Sequence, residues 1–165
     1  MVEKSNKDYA NITLDLLKQQ LNFDSDYTDE DNYLTQLTKA SVDYCESALG
    51  FDIVPTDNSL KIEDFGRDYI TVDEGNLSQI TAITIDGEPV TEYKVEKKYY
   101  SFKITFEVYL SGDLEITFKT GYTTEIKSKH LQAVLIKASD LYDSERQSYN
   151  YNVNKNEVLK YLLTL

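Results

Sequence analysis

The chain lacks most of what specialised chemistry requires. It has one cysteine, so no internal disulfide framework and no cysteine-rich zinc cluster can form. It has one histidine, which excludes multi-histidine metal sites. Tryptophan is absent, and there are two prolines and six glycines. The glycines stand at 50, 66, 75, 87, 112 and 121, and none completes a GxGxxG or Walker A loop, so no phosphate cradle is encoded. No run approaches 18 apolar residues, so no membrane span is expected. The opening residues, MVEKSNKDYANITLDLL, hold no apolar stretch of the secretory type. A soluble protein made in a reducing cytoplasm is expected.

Acidic charge, tyrosine and enough apolar residues for a core are present. The 165 residues correspond to one domain, or a domain with an extension. Hydrophobic residues make up 41%, a globular value, and 14 of them are tyrosines able to serve a wet or shared surface. The net charge of −12 makes the chain a poor binder of phosphate backbones or anionic lipid. Residues 1–50 carry −6, residues 51–125 carry −8, and residues 126–165 carry +2. The C-terminal quarter therefore differs in kind.

Hydrophobic period organises the chain. Thr13 is placed to cap a helix over 14–21, with Ile12 and Leu17 at staple spacing and Leu14, Leu17 and Leu21 on one face. An acidic link, residues 24–31, leads into a helix over 29–49, with Thr28 and Asp31 at capping-box spacing. Leu34, Leu37, Ser41, Tyr44, Cys45 and Ala48 form its expected buried stripe, and Gly50 its stop. Residues 53–121 read as strands. Asp86-Gly87 marks a two-residue hairpin, and Pro89 suits an edge strand. Ile104, Phe106, Val108 and Leu110 alternate, Ser111-Gly-Asp113 reads as a turn, and Leu114, Ile116 and Phe118 alternate again. These patterns predict an antiparallel sheet packed on one side. A helix over 128–145 follows, with Leu131, Val134, Leu135, Ala138, Leu141 and Tyr142 as its stripe. Residues 147–165 comprise an Asn-rich linker and an apolar tail of helical spacing. The predicted class is α+β: two long amphipathic helices and a short N-terminal one, packed with an antiparallel sheet insertion. Residues 1–146 form the expected domain.

Candidate chemistry is sparse. His130 is expected to be an ordinary surface or helix-start histidine, since no serine or cysteine motif accompanies it. Cys45 lies on an apolar stripe and reads as a core thiol. The run of Asp24, Asp26, Asp29, Glu30 and Asp31 lacks the glycine and glutamate of a calcium loop, and reads as a solvated capping run. Tyr93, Tyr99, Tyr100 and Tyr109 read first as sheet surface or subunit interface, since no basic companions support base stacking.

Three segments in order carry a resemblance. They are Ile12-Thr-Leu-Asp-Leu-Leu-Lys-Gln-Gln-Leu21, then Asp29-Glu-Asp-Asn-Tyr-Leu through Tyr44 to Leu49-Gly50, and then Ile116-Thr-Phe-Lys-Thr-Gly-Tyr122 with Leu131 to Tyr142. Together, over about residues 12–146, they resemble the head–tail connector (adaptor) proteins of long-tailed, siphovirus-type bacteriophages. The chain departs from that pattern where Ile126-Lys-Ser replaces a usual proline before the last helix, and at Phe51-Asp-Ile-Val-Pro after Leu-Gly. The resemblance implies a structural virion protein, assembled in the host cytoplasm. It would form a ring, about twelve-fold, that joins the portal protein to a stopper or tail-completion protein and surrounds the DNA channel. It implies no catalytic residue, no cofactor, no specific DNA binding and no membrane partner. In that setting the tail, led by Val158, Leu159, Tyr161, Leu162 and Leu165, is expected to dock on the portal or an adjacent subunit. Two other readings stay open: an acidic DNA-mimic inhibitor, and a small carbohydrate-binding or carbohydrate-acting module built on tyrosine stacking and a carboxylate pair.

Overall fold

A computed structural model describes residues 1–146 and Leu163, with side chains through Tyr142 and at Leu163. The candidate tail residues Val158, Leu159, Tyr161, Leu162 and Leu165 lie outside the described residues. The element order is β1 (Val2–Lys7), α1 (Leu14–Gln20), α2 (Asp31–Leu49), β2 (Thr56–Val72), β3 (Leu77–Ile85), β4 (Glu88–Pro89), β5 (Tyr93–Lys97), β6 (Phe102–Thr120) and α3 (Ser128–Arg146). The class is α+β. The chain divides into two compact units: a sheet unit of Met1–Asp8 with Gly50–Thr123, and a helical unit of Tyr9–Leu49 with the chain from Thr124 onward. No helix among the described residues is long and apolar enough to cross a membrane.

The sheet unit is built on two long strands. β2 and β6 pair antiparallel from Thr56↔Thr120 to Val72↔Phe102. β1 flanks the start of β2. On the other side of β6 lie β3, against its second half, and β5, against its first. All strand pairs among the described elements are antiparallel, so one face collects alternate apolar residues: Phe102, Ile104 and Phe106, then Leu114, Ile116 and Phe118, all buried. Phe102 and Phe118 meet edge to face at 5.0 Å. The Asp86-Gly87 hairpin is as expected: both residues have positive φ (49° and 83°), and Ile85 pairs with Glu88. Pro89 sits on the short edge strand β4.

Two expectations need correcting. Ser111-Gly-Asp113 is not a turn, because β6 runs through it without a break. Gly112, at φ 136°, and Asp64, at φ 52°, take up an irregularity in the β2–β6 ladder, so the ribbon bends instead of reversing. Asp86 and Asp113 lock this bend. Asp113 N–H donates to Asp86 Oδ1 at 2.8 Å, and Asp64 N–H donates to Asp113 Oδ1 at 3.1 Å. The second correction concerns Val108, which breaks the apolar alternation. It lies in a wide bulge between Thr105 and Leu110 and is 63% exposed.

In the helical unit, α1 is too short to stand alone. Its Thr13 occupies the cap position in extended conformation without a side-chain capping bond. Leu17 is fully buried. α2 starts at Asp31, two residues later than expected, and buries Leu34, Leu37, Thr38, Ser41, Val42, Cys45, Glu46 and Leu49. That i, i+3, i+4, i+7 set is a helix stripe rotated away from Tyr44 and Ala48, both of which are exposed. The buried hydroxyls return their hydrogen bonds to the preceding turn: Thr38 Oγ1 to Leu34 O at 2.9 Å and Ser41 Oγ to Leu37 O at 2.7 Å. α3 buries Ala133, Val134, Leu135, Ala138 and Tyr142.

Candidate interaction surfaces

The polar centre of the sheet unit is Asp52, which is 2% exposed. Its carboxylate accepts from Lys4 Nζ on β1 at 3.0 and 3.2 Å, and from Thr120 Oγ1 at the end of β6. Thr120 Oγ1 in turn accepts from Asn58 Nδ2 on β2 at 2.8 Å. Asn76 Nδ2 donates to the Asp52 carbonyl at 2.9 Å. Lys4 also meets Glu74 at 3.0 Å. Burial works to lower the Lys4 pKa, but the hydrogen bonds to Asp52 and Glu74 outweigh it and leave the ammonium above its ordinary value. One carboxylate thus ties together β1, β2 and β6, which are far apart in sequence. Each side chain in the network bonds another member of it, and among its groups the buried Asn58 Oδ1 is left without a hydrogen-bond partner.

Gly121 follows at once. It has φ 87°, and a Cβ there would lie 2.1 Å from the Val54 carbonyl oxygen. Its N–H donates to Asn76 O, and Tyr122 N–H donates to Ile53 O. The Thr-Gly-Tyr segment is therefore a backbone crossing that only glycine permits.

The four candidate tyrosines divide between places. Tyr93 lies on β5 opposite Phe106 and is half-buried against the core. Tyr99 and Tyr100 sit in the turn between β5 and β6, 44% and 48% exposed, with ring centres 4.9 Å apart. Phe51 joins Tyr99 at 5.3 Å. Burial raises the Tyr99 pKa first, and Tyr100 adds to it. Tyr109 stands on the β6 bulge, 68% exposed, its hydroxyl close over Gly66. Phe102 pairs with Val72 and Leu110, next to Tyr109, with Arg67, five strand steps or about 17 Å along β2, so the turn pair and Tyr109 are distinct patches. Tyr69, 42% exposed with Lys103 Nζ 4.4 Å from its ring centre, was not singled out by the sequence reading.

The two lone reactive side chains lie in the helical unit. Cys45 is fully buried, and burial pushes its thiol up to about 12, so it is the expected core thiol. His130 is at the start of α3 but not at the surface. It is fully buried, because it sits one turn ahead of Val134 and continues the stripe through Ala138 and Tyr142. Burial, with Lys129 and Lys127 adding, lowers its pKa to about 4, so it is neutral at pH 7. In the acidic run, Asp31 meets Lys18 Nζ at 2.7 Å; that lysine, buried on α1, gives the run an internal partner. Among the described residues no group of three His, Cys, Asp or Glu side chains is placed to hold a metal ion.

No protein-family model and no curated protein matches the chain. Solved structures do. A chain in the virion of a native gene transfer agent (GTA) particle is 16% identical with a TM-score of 0.77. A chain in the neck of an empty GTA particle, computed with C6 symmetry, gives 15% and 0.75. Another, in the neck of a native GTA particle computed with C12 symmetry, gives 14% and 0.72. Each match covers 100% of this chain and 96% of the other. At these identities the likeness is one of fold, over all of this chain and nearly all of the others.

Proposed function

We propose that this chain is a structural component of the neck of a phage-like virion. It forms a ring of about twelve copies that joins the portal vertex to a stopper or tail-completion protein and surrounds the DNA exit channel. The observation that carries this reading is the full-length fold match to chains of particle and neck structures, two of which were computed with cyclic symmetry. The order of the three sequence segments supports it independently.

The surface is compatible with that role. A ring subunit needs two different faces that meet head to tail. Exposed Tyr69, Tyr99, Tyr100, Val108 and Tyr109 provide apolar area of the kind interfaces use. The net charge of −12 suits a channel that must release DNA, since carboxylates repel phosphates. No bond is made or broken in this role. The residues after 146, with Val158, Leu159, Tyr161, Leu162 and Leu165, are assigned to docking on the portal or a neighbouring copy.

Gold-labelled antibody against the chain, applied to intact particles, tests the reading. Label confined to the head–tail junction is expected. Label over the capsid surface, at the tail tip or nowhere on the particle contradicts it.

A further inference from the structure

We infer that neighbouring copies join edge to edge through their sheets, the open edge of β5 in one copy pairing parallel with the open edge of β2 in the next. The inference rests on the ring reading and names the contact that would build the ring.

Both edges are open among the described residues. β1 covers β2 only from Thr56 to Leu60, and the rest of β2, through Val72, has β6 on one side and no strand on the other. β5 pairs with β6 alone. The first half of β6 is thus the middle of a three-stranded ribbon whose two margins are β2 and β5. An open row of backbone N–H and C=O groups is a template for another strand. Bulges at Ile62/Phe65 and Arg67/Tyr69 interrupt the β2 margin, and the regular stretch after them, Tyr69-Ile-Thr-Val72, is β-branched and aromatic, without proline or lysine. Along this margin runs a groove of about 740 Å³, lined by Ile62, Phe65, Ile70 and Val72 among others. The five residues of β5 span about 17 Å, within the reach of that margin.

Charge selects the pairing. Residues 67–73 along the β2 margin carry Asp68 and Asp73 against Arg67, a net −1, and Glu74 beyond them is paired with Lys4. Residues 93–98 along β5 carry Lys94 and Lys98 against Glu96, a net +1, with Lys97 Nζ held on the Leu77 and Ser78 carbonyls of β3. A two-fold contact would bring β2 against β2 or β5 against β5, with like charges opposed. A head-to-tail contact brings opposite charges together, which fixes partner and register. Direction agrees as well. β2 and β5 are each antiparallel to β6, so they run parallel to one another. A copy displaced by a small rotation therefore presents its β5 parallel to β2, and the operation repeats until the ring closes.

Cysteine crosslinking tests this on the full chain. Thr71 and Glu96 are both exposed, and both pair with Lys103, so they lie on the same outward face. T71C and E96C are made singly and together, and treated with a short bis-maleimide with and without portal rings from the same particle. Native Cys45, buried with its thiol pushed up to about 12, leaves the wild type as the unreactive control. An equimolar mixture of the two single variants is expected to give a dimer, and each single variant alone no crosslink; in the double variant, whose two thiols flank β6 about 10 Å apart in one chain, intrachain bridging competes with any ladder. Reversal of Lys94 and Lys98 to Glu is expected to weaken association at least about tenfold, and reversal of Asp68 and Asp73 to Lys in the same chain to restore it. Dimers from a single variant alone would show a two-fold contact and overturn the inference. So would absence of crosslinks while sedimentation shows wild-type assemblies, an outcome that leaves the ring reading standing. If wild type does not assemble and the variants do not crosslink, even with portal rings, both fall.

Discussion

The two units are stabilised differently. The helical unit is ordered by local periodicity. Its buried stripes repeat every three or four residues, and its buried hydroxyls are satisfied one turn away. The sheet unit is ordered by contacts between distant residues. Asp52 is 48 residues from Lys4 and 68 from Thr120, and one bent ladder runs the length of β2 and β6. The units also differ in what they leave outside. Of the large apolar side chains that stay exposed among the described residues, Tyr44 belongs to the helical unit and lies under Lys137 at 4.3 Å, while Tyr69, Tyr99, Tyr100, Val108 and Tyr109 belong to the sheet unit. Among the described residues, the sheet unit carries most of the exposed apolar surface that a partner can use.

This contrast is broken most strongly at Gly121. Replacement by alanine meets the Val54 carbonyl and a positive φ together, and is expected to cost at least about 3 kcal/mol in urea unfolding. Hydrogen exchange should quicken in β1, β2 and β6 before α2 and α3. Equal loosening of both units would mean that they fold as one. Asp52→Ala comes next. It leaves the Thr120 hydroxyl without its acceptor and the Lys4 ammonium with Glu74 alone, at about 2–3 kcal/mol, again felt first in the sheet unit.

A smaller effect sharpens the comparison from the helical side. Folding holds His130 at about 4, below its unfolded value near 6.5, so the unfolded chain binds the extra proton first. Its contribution is whole above pH 6.5 and is lost as pH falls toward 4, on the order of 2 kcal/mol. Urea unfolding of wild type and His130→Leu between pH 7 and 4 should show a shallower decline in the variant. Parallel curves would remove His130 from the acid response. The smallest effect is at Cys45, where a thiol reagent should leave the native protein unmodified at pH 8 and react fully once urea unfolds it.

What was legible follows the same division. Periodic segments announced themselves: α3, the body of α2, and the Leu114, Ile116, Phe118 face. Asp86-Gly87 named its hairpin because a two-residue type I′ turn requires positive φ at both positions. The Ser111-Gly-Asp113 error has a physical source, because a bulge with glycine at positive φ draws on the same residue types as a turn. β1 was missed because VEKSNK has one apolar residue; pairing with β2 and the Lys4–Asp52 bridge define it. His130 was legible in retrospect as the position four before Val134. Asp52 and the open edges of β2 and β5 were not, since neither a long-range network nor an unpaired margin leaves a local pattern. Tyr93 is half-buried on β5, while Tyr99 and Tyr100 in the turn and Tyr109 on the bulge are exposed in separate places, so the four do not form a single cluster.

The mass of the assembly tests the central claim most directly. Full-length chain, titrated into purified portal rings and followed by light scattering or mass photometry, should add a complement of about twelve 19.0 kDa chains per portal with no intermediate plateau. A chain that stays monomeric beside the portal at every concentration would contradict the account.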